Sequence, residues 1–204
     1  DYVLHKIKLL GDDFLLQMTG QADESIALST LDGQILKTAL PWQPALLTLN
    51  PIQFVRVDSV LVFQLAMTNS YVSFSPHDQR FSEGIFFNSN SLFSKSELLD
   101  LFAQNGIDYL GHLSDKMYIN AVRTLNGRTF VNISDKGVSK MVVQSADGQI
   151  RSVALDGGIV DDLTGFNDFK FLQTMYLSES DNSLLFCLDP QSDDDFYRLL
   201  EVRN

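Results

Sequence analysis

Apolar and polar residues alternate along this chain in short runs broken by Gly, Asp and Asn, the pattern of half-buried β-strands joined by tight turns. The first runs are Tyr2–Leu10 and Phe14–Met18, separated by Gly11-Asp12-Asp13. Ser25–Thr30 and Gln34–Leu40 follow, joined through Asp32-Gly33. Pro41-Trp42-Gln43-Pro44 then interrupts the alternation and predicts an exposed connection. A second set comprises Ile52–Val57, Val60–Leu65, Tyr71–Phe74 and Arg80–Phe87. Within it, Val60-Leu61-Val62-Phe63 does not alternate, which predicts a strand covered on both faces. A third set comprises Tyr118–Leu125, Arg128–Ile133, Ser139–Val143 and Gln149–Leu155. After Asp156-Gly157-Gly158 the pattern thins to Phe171–Leu177 and Leu184–Leu188.

Two segments carry the helical period instead. Ser94–Gln104 opens with a capping-box pair, Ser94 and Glu97, and carries the stripe Leu98, Leu101, Phe102 before Asn105-Gly106 stops it. Gln191–Val202, beginning around Asp193-Asp194-Asp195, predicts a terminal helix, since Asp favours the first turn.

The tetrapeptide Asp-Gly-Gln-Ile occurs twice, at Asp32–Ile35 and Asp147–Ile150. An apolar run precedes each copy, and Ala-Leu follows each (Ala39-Leu40, Ala154-Leu155). Asp-Gly between alternating strands is a strong hairpin signal, and two matched hairpins imply a repeated unit. Four short strands in about forty residues is the size of one propeller blade. The expected fold is therefore all-β: propeller-type four-stranded antiparallel blades, about three and a half of them, with two short helices. The whole of residues 1–204 reads as a single domain of this type.

Three features resemble the C-terminal part of the six-bladed β-propeller proteins common among secreted lipoproteins of gut anaerobes. One is Asn50-Pro51-Ile52-Gln53-Phe54, followed by Asp58-Ser59-Val60-Leu61-Val62-Phe63 and Asn69-Ser70-Tyr71-Val72. Another is Val160-Asp161-Asp162-Leu163-Thr164-Gly165-Phe166, similar to the acidic-Gly segment before that family's last blade. The third is the helix between the second and third sets. The resemblance implies an extracytoplasmic protein, periplasmic or anchored to an outer membrane. It implies no particular activity. A six-bladed ring needs roughly 240 residues at about forty per blade, so this chain reads first as part of a larger propeller, with a smaller closed ring or an open stack as the alternatives.

Composition narrows the function classes. With 204 residues and 45% apolar content the chain can bury one substantial core or two small ones. Its net charge of −11 argues against nucleic acid and against electrostatic docking on anionic lipid. Much of that charge is local: Val160–Asn204 holds eight Asp and two Glu against one Lys and two Arg. No stretch is long and apolar enough to span a membrane. No signal-peptide pattern is present and the chain does not begin with Met, which reads as a processed or trimmed form. The single cysteine, Cys187, lies in an apolar run and reads as a small buried hydrophobe.

Candidate chemistry is sparse. Gly-x-Ser-x-Gly is absent, and His5, His77 and His112 lie in unrelated settings. No zinc-ligand spacing and no phosphate-binding loop occurs, so no cofactor is expected. Asp161, Asp162, Asn167 and Asp168 form the best polar constellation. Their oxygens suit a hard cation such as calcium, although they do not match an EF-hand, and the alternative is a turn held by Asx bonds. Asp161, Asp162 and Asp168 are accordingly the candidate ligand-binding residues. Trp42 and Tyr71 offer a surface on which a sugar could stack, and each also fits a core or connecting role. These readings converge on an extracytoplasmic, non-enzymatic binding or scaffold domain for a protein or carbohydrate ligand, with self-association open. The alternative is a hydrolase or lyase acting at a propeller's central channel.

Overall fold

The computed structural model describes residues 4–19, 24–41, 43–46, 54–57, 59–125 and 127–154, together with three later strands. The chain divides into two compact units, Asp1–Asn88 and Ser89–Asn204.

The first unit holds two four-stranded antiparallel meanders. One runs β1 (Leu4–Leu10), β2 (Phe14–Thr19), β3 (Glu24–Thr30) and β4 (Ile35–Pro41), paired in that order. The other runs β5 (Phe54–Val57), β6 (Val60–Gln64), β7 (Ser70–Ser75) and β8 (Arg80–Ile85), again in chain order. A short 3-10 turn at Pro44–Leu46 lies between them and buries Ala45 and Leu46.

The second unit begins with α1 (Lys95–Asn105) and a 3-10 stretch at Gly106–Asp115. A meander follows: β9 (Tyr118–Leu125), β10 (Arg128–Asp135), β11 (Val138–Gln144) and β12 (Ile150–Ala154). Then β13 (Phe171–Ser178), β14 (Ser183–Leu188) and β15 (Arg198–Arg203) form a three-stranded sheet, with β13 lying beside β9. The described residues are thus mostly antiparallel strand, in three four-stranded meanders of the propeller-blade type and one three-stranded sheet, with one α-helix among them.

Burial follows strand position. In β3 every residue from Ser25 to Ser29 is buried, and in β6 so is every residue from Leu61 to Gln64. Within the non-alternating run, Leu61–Phe63 is therefore covered on both faces, as its composition predicts, and Val60 at the strand's start is half-buried. Fourth strands are wetter: Ile35 to Lys37 and Ile150 to Ser152 are exposed. Large apolar groups are buried in each unit, among them Ile26, Leu28, Phe63 and Phe74 in the first and Ile119 and Val131 in the second.

The repeated hairpins have one geometry. Gly33 and Gly148 sit at φ 91° and 82°. Gly33 N–H donates to Thr30 O at 3.1 Å and Thr30 N–H donates to Gln34 O at 3.0 Å. The second copy repeats both bonds, Gly148 to Ser145 and Ser145 to Gln149, each at 2.9 Å. This is a three-residue loop: a type I turn closed by a bulge residue with positive φ, a position that favours glycine.

Helix α1 forms where expected. Ser94 Oγ accepts from Glu97 N–H at 3.2 Å, and Ser94 N–H donates to Glu97 Oε2 at 3.0 Å, closing the capping box. Leu98 is its buried residue.

The terminal helix expected over Gln191–Val202 is not formed by its second half. Arg198–Arg203 is strand β15, in register with β14 from Ser183↔Arg203 to Leu188↔Arg198. Residues 191–197 lie outside the described residues. An unpaired edge on β14 would leave a row of backbone donors and acceptors without partners, and the last segment satisfies them by pairing. Tertiary pairing thus overrides the local acidic start signal.

Candidate functional site

Asp161, Asp162, Asn167 and Asp168 lie outside the described residues, as does Trp42. Cys187 is placed on β14, and His5 on β1, with no description of their side chains. Among the described residues no group of three or more His, Cys, Asp or Glu side chains converges on a point where a metal ion could sit.

Of the described histidines, His77 belongs to the first unit and His112 to the second. His112 is half exposed and 4.0 Å from Asp115. His77 occupies the four-residue loop between β7 and β8, where Ser, His and Asp do meet. His77 Nδ1 lies 2.8 Å from Asp78 Oδ1, and Ser75 Oγ donates to Asp78 Oδ2 at 3.1 Å. Asp78 N–H in turn donates to Ser75 Oγ at 3.3 Å. The bonds to His77 and Ser75 hold the Asp78 carboxyl below its ordinary range. In a nucleophilic triad the imidazole bridges serine and carboxylate. Here the carboxylate is the bridge, and the His77 side chain is 95% exposed. The arrangement is a capped turn. Lys37 of β4 donates to Gln79 O at 2.7 Å and ties this loop to the neighbouring sheet of the same unit.

A buried polar face occurs on β9 and β10. A register shift makes Asn120 the extra residue of a bulge, with Ala121 opposite Asn132 and Ile119 opposite Ile133. Asn120 Nδ2 donates to Asn132 Oδ1 at 3.4 Å. Asn132 is fully buried, and its Nδ2 meets no acceptor. Arg123, paired with Phe130, occupies the same sheet face and is only 5% exposed. It donates to Val122 O at 2.6 Å. Burial pulls its guanidinium down to about 10, so it remains charged at neutral pH. The opposite face of the same strands is apolar, with Ile119, Val122, Val131 and Ile133 all buried.

A more open face lies on β7 and β8. Tyr71 pairs with Gly84, Ser73 with Ser82, and Ser75 with Arg80, so these six side chains share one face of the sheet. None of them is buried. The phenol end of Tyr71 lies over Gly84: a Cβ built on that glycine would fall 2.5 Å from Tyr71 Cζ. Phe86 stands beside the same ring, with centroids 4.8 Å apart and a 49° tilt. Ser73 Oγ donates to Ser82 O at 3.3 Å. The sequence marks Tyr71, but neither Gly84 nor the Ser73–Ser82 pair. Only the β7–β8 register reveals them, because one face of a hairpin is assembled from residues that are not neighbours in the chain.

No protein-family model matches the chain, and no curated protein matches it. Solved structures do. A candidate exported protein of Bacteroides fragilis aligns over 92% of this chain and 55% of its own, with a TM-score of 0.66 and 13% identity. The chain thus spans about half the length of that relative. At this identity the likeness shows the fold alone. A streptogramin B lyase aligns over 98% of this chain and 54% of its own, with a TM-score of 0.45 and 16% identity. The extracellular domain of a candidate one-component system from B. thetaiotaomicron aligns over 90% of this chain and 19% of its own, with a TM-score of 0.45 and 7% identity.

Proposed function

We propose that this chain is an extracytoplasmic, non-enzymatic binding or scaffold domain whose ligand is a protein or a carbohydrate. The observation that carries this reading is where its polar side chains point. Asn69, Thr68, Ser75 and Ser94 all bond the chain's own turns and backbone. They build rigid turns within one sheet and the start of α1, and rigid loops are where such folds present binding surfaces. The likeness to a candidate exported protein supports the location. No helix among the described residues is long and apolar enough to cross a membrane. The four sheets belong, in this reading, to one larger propeller of the six-bladed lipoprotein kind, and Asp161, Asp162 and Asp168 add ligand contacts at its edge.

The test has two arms. The purified chain is titrated with a panel of neutral glycans and assayed for turnover of the same panel by chromatography. Binding without turnover is the expected result. Turnover with a measurable kcat would replace this reading by the hydrolase or lyase alternative. Fractionation of the producing cells checks location, and recovery in the cytoplasm would overturn it.

A further inference from the structure

Tyr71 and Gly84 form one object. A side chain at position 84 would meet the Tyr71 ring at 2.5 to 2.9 Å, so only glycine lets the ring lie low across the hairpin. The ring is half-buried, one side on the Gly84 backbone, with the Phe86 ring tilted against it at 4.8 Å. Beyond it the same face carries Ser73 and Ser82, and then Arg80, which is exposed. The β6 residues on this face, Val62 and Gln64, are buried. The open part of the face is therefore a shallow strip: aromatic at one end, hydroxyl-lined in the middle, cationic at the other.

We propose that this strip binds a neutral oligosaccharide, one pyranose ring stacking on Tyr71 and its neighbours bonding to Ser73, Ser82 and Arg80. The inference rests on the binding-domain reading above and names its ligand class and site. Three physical facts select the ligand. A ring held low against backbone presents its π-face, to which the C–H face of a sugar is complementary. Small hydroxyl side chains leave room for a flat ligand and offer donors and acceptors for its hydroxyls. The chain's net charge of −11 disfavours acidic glycans, although Arg80 is basic, because the field of the whole protein opposes them.

Calorimetric titration of the intact chain with xylo-, cello-, malto- and mannohexaose, and with hexagalacturonate as the anionic control, tests this. At least one neutral hexaose binds and the anionic one does not. Tyr71→Ala weakens binding by about tenfold, on the scale of one lost aromatic contact. Tyr71→Leu keeps bulk over Gly84, removes the ring and weakens binding to the same extent with an unchanged melt. Should no neutral hexaose bind, the strip is not a sugar site, and the protein-ligand branch of the wider reading survives. Should a hexaose bind equally to wild type and a folded Tyr71→Leu, the strip is refuted while the binding-domain reading stands. Should a hexaose be cleaved, the non-enzymatic reading falls, and the strip stands only if Tyr71→Leu raises KM.

Discussion

The side-chain amide of Asn69 grips the main chain of Phe87: its Oδ1 accepts the Phe87 N–H at 2.9 Å, and its Nδ2 donates to the Phe87 carbonyl. Asn69 O accepts the Phe86 N–H at 2.9 Å as well. The loop that carries Asn69 is buried, with Leu65 and Thr68 fully so. A buried loop persists only if its polar groups are matched, and here they are: Thr68 Oγ1 donates to Leu65 O at 2.6 Å and Gln64 Nε2 to Ala66 O at 2.7 Å. Asn69 extends the pairing of β7 and β8 by one side chain, past the point where β8 ends.

Asn69→Ala removes both amide bonds and leaves the Phe87 donor and acceptor without them. It should cost about 2–3 kcal/mol, read as a lower urea midpoint at unchanged slope. Leaving the midpoint in place would show that water takes over the amide's role.

Gly33→Val and Gly148→Val each force a β-branched residue to a positive φ. Each should cost about 1–3 kcal/mol. The two hairpins lie in different units, so the double mutant should show near-additive losses. Thermal melts of the three variants check this, and a strong deviation from additivity would mean that the two hairpins share contacts.

Gly84→Ala drives a methyl into Tyr71. Tyr71 cannot retreat freely, because Phe86 stands beside it. Destabilisation of about 1–3 kcal/mol is expected from overpacking. Gly84→Ala combined with Tyr71→Ala should recover part of that loss, and a double-mutant cycle measures how much.

Glu97 supplies a pH dependence. Lys116 Nζ at 2.6 Å, together with the Ser94 backbone bond, holds its carboxyl below the ordinary value. A depressed folded-state pKa contributes stability that is present above the unfolded value, about 4.3, and is lost as pH falls through the folded one. Protection of α1 amides from hydrogen exchange should therefore fall on acidification below about pH 4.3, and Glu97→Gln should flatten that fall. The groups are partly exposed, so the effect is small and weakens with salt.

Calcium should leave the melting midpoint unchanged, with or without chelator, because Asp, Asn and Gly at the density of Asp161–Asp168 suit a turn as well as a cation site. A rise with calcium that Asp161→Asn or Asp168→Asn abolishes would establish cation binding instead.

The sequence by itself determined the meanders. Alternation set the strands, Asp-Gly set both bulged hairpins, and Ser94 with Glu97 set the start of α1, because each depends on neighbours within a few residues. Tertiary structure decided what depends on partners far along the chain. Residues 198–203 became strand because β14 offered them an edge, against a local acidic pattern that reads as a helix start. The burial of Arg123 on one face with the half-satisfied Asn132 came from the pairing of β9 with β10, which no local motif marks. The Tyr71 strip exists for the same reason. Its serines and its glycine are unremarked in sequence, and only the antiparallel register of β7 against β8 brings them onto one face.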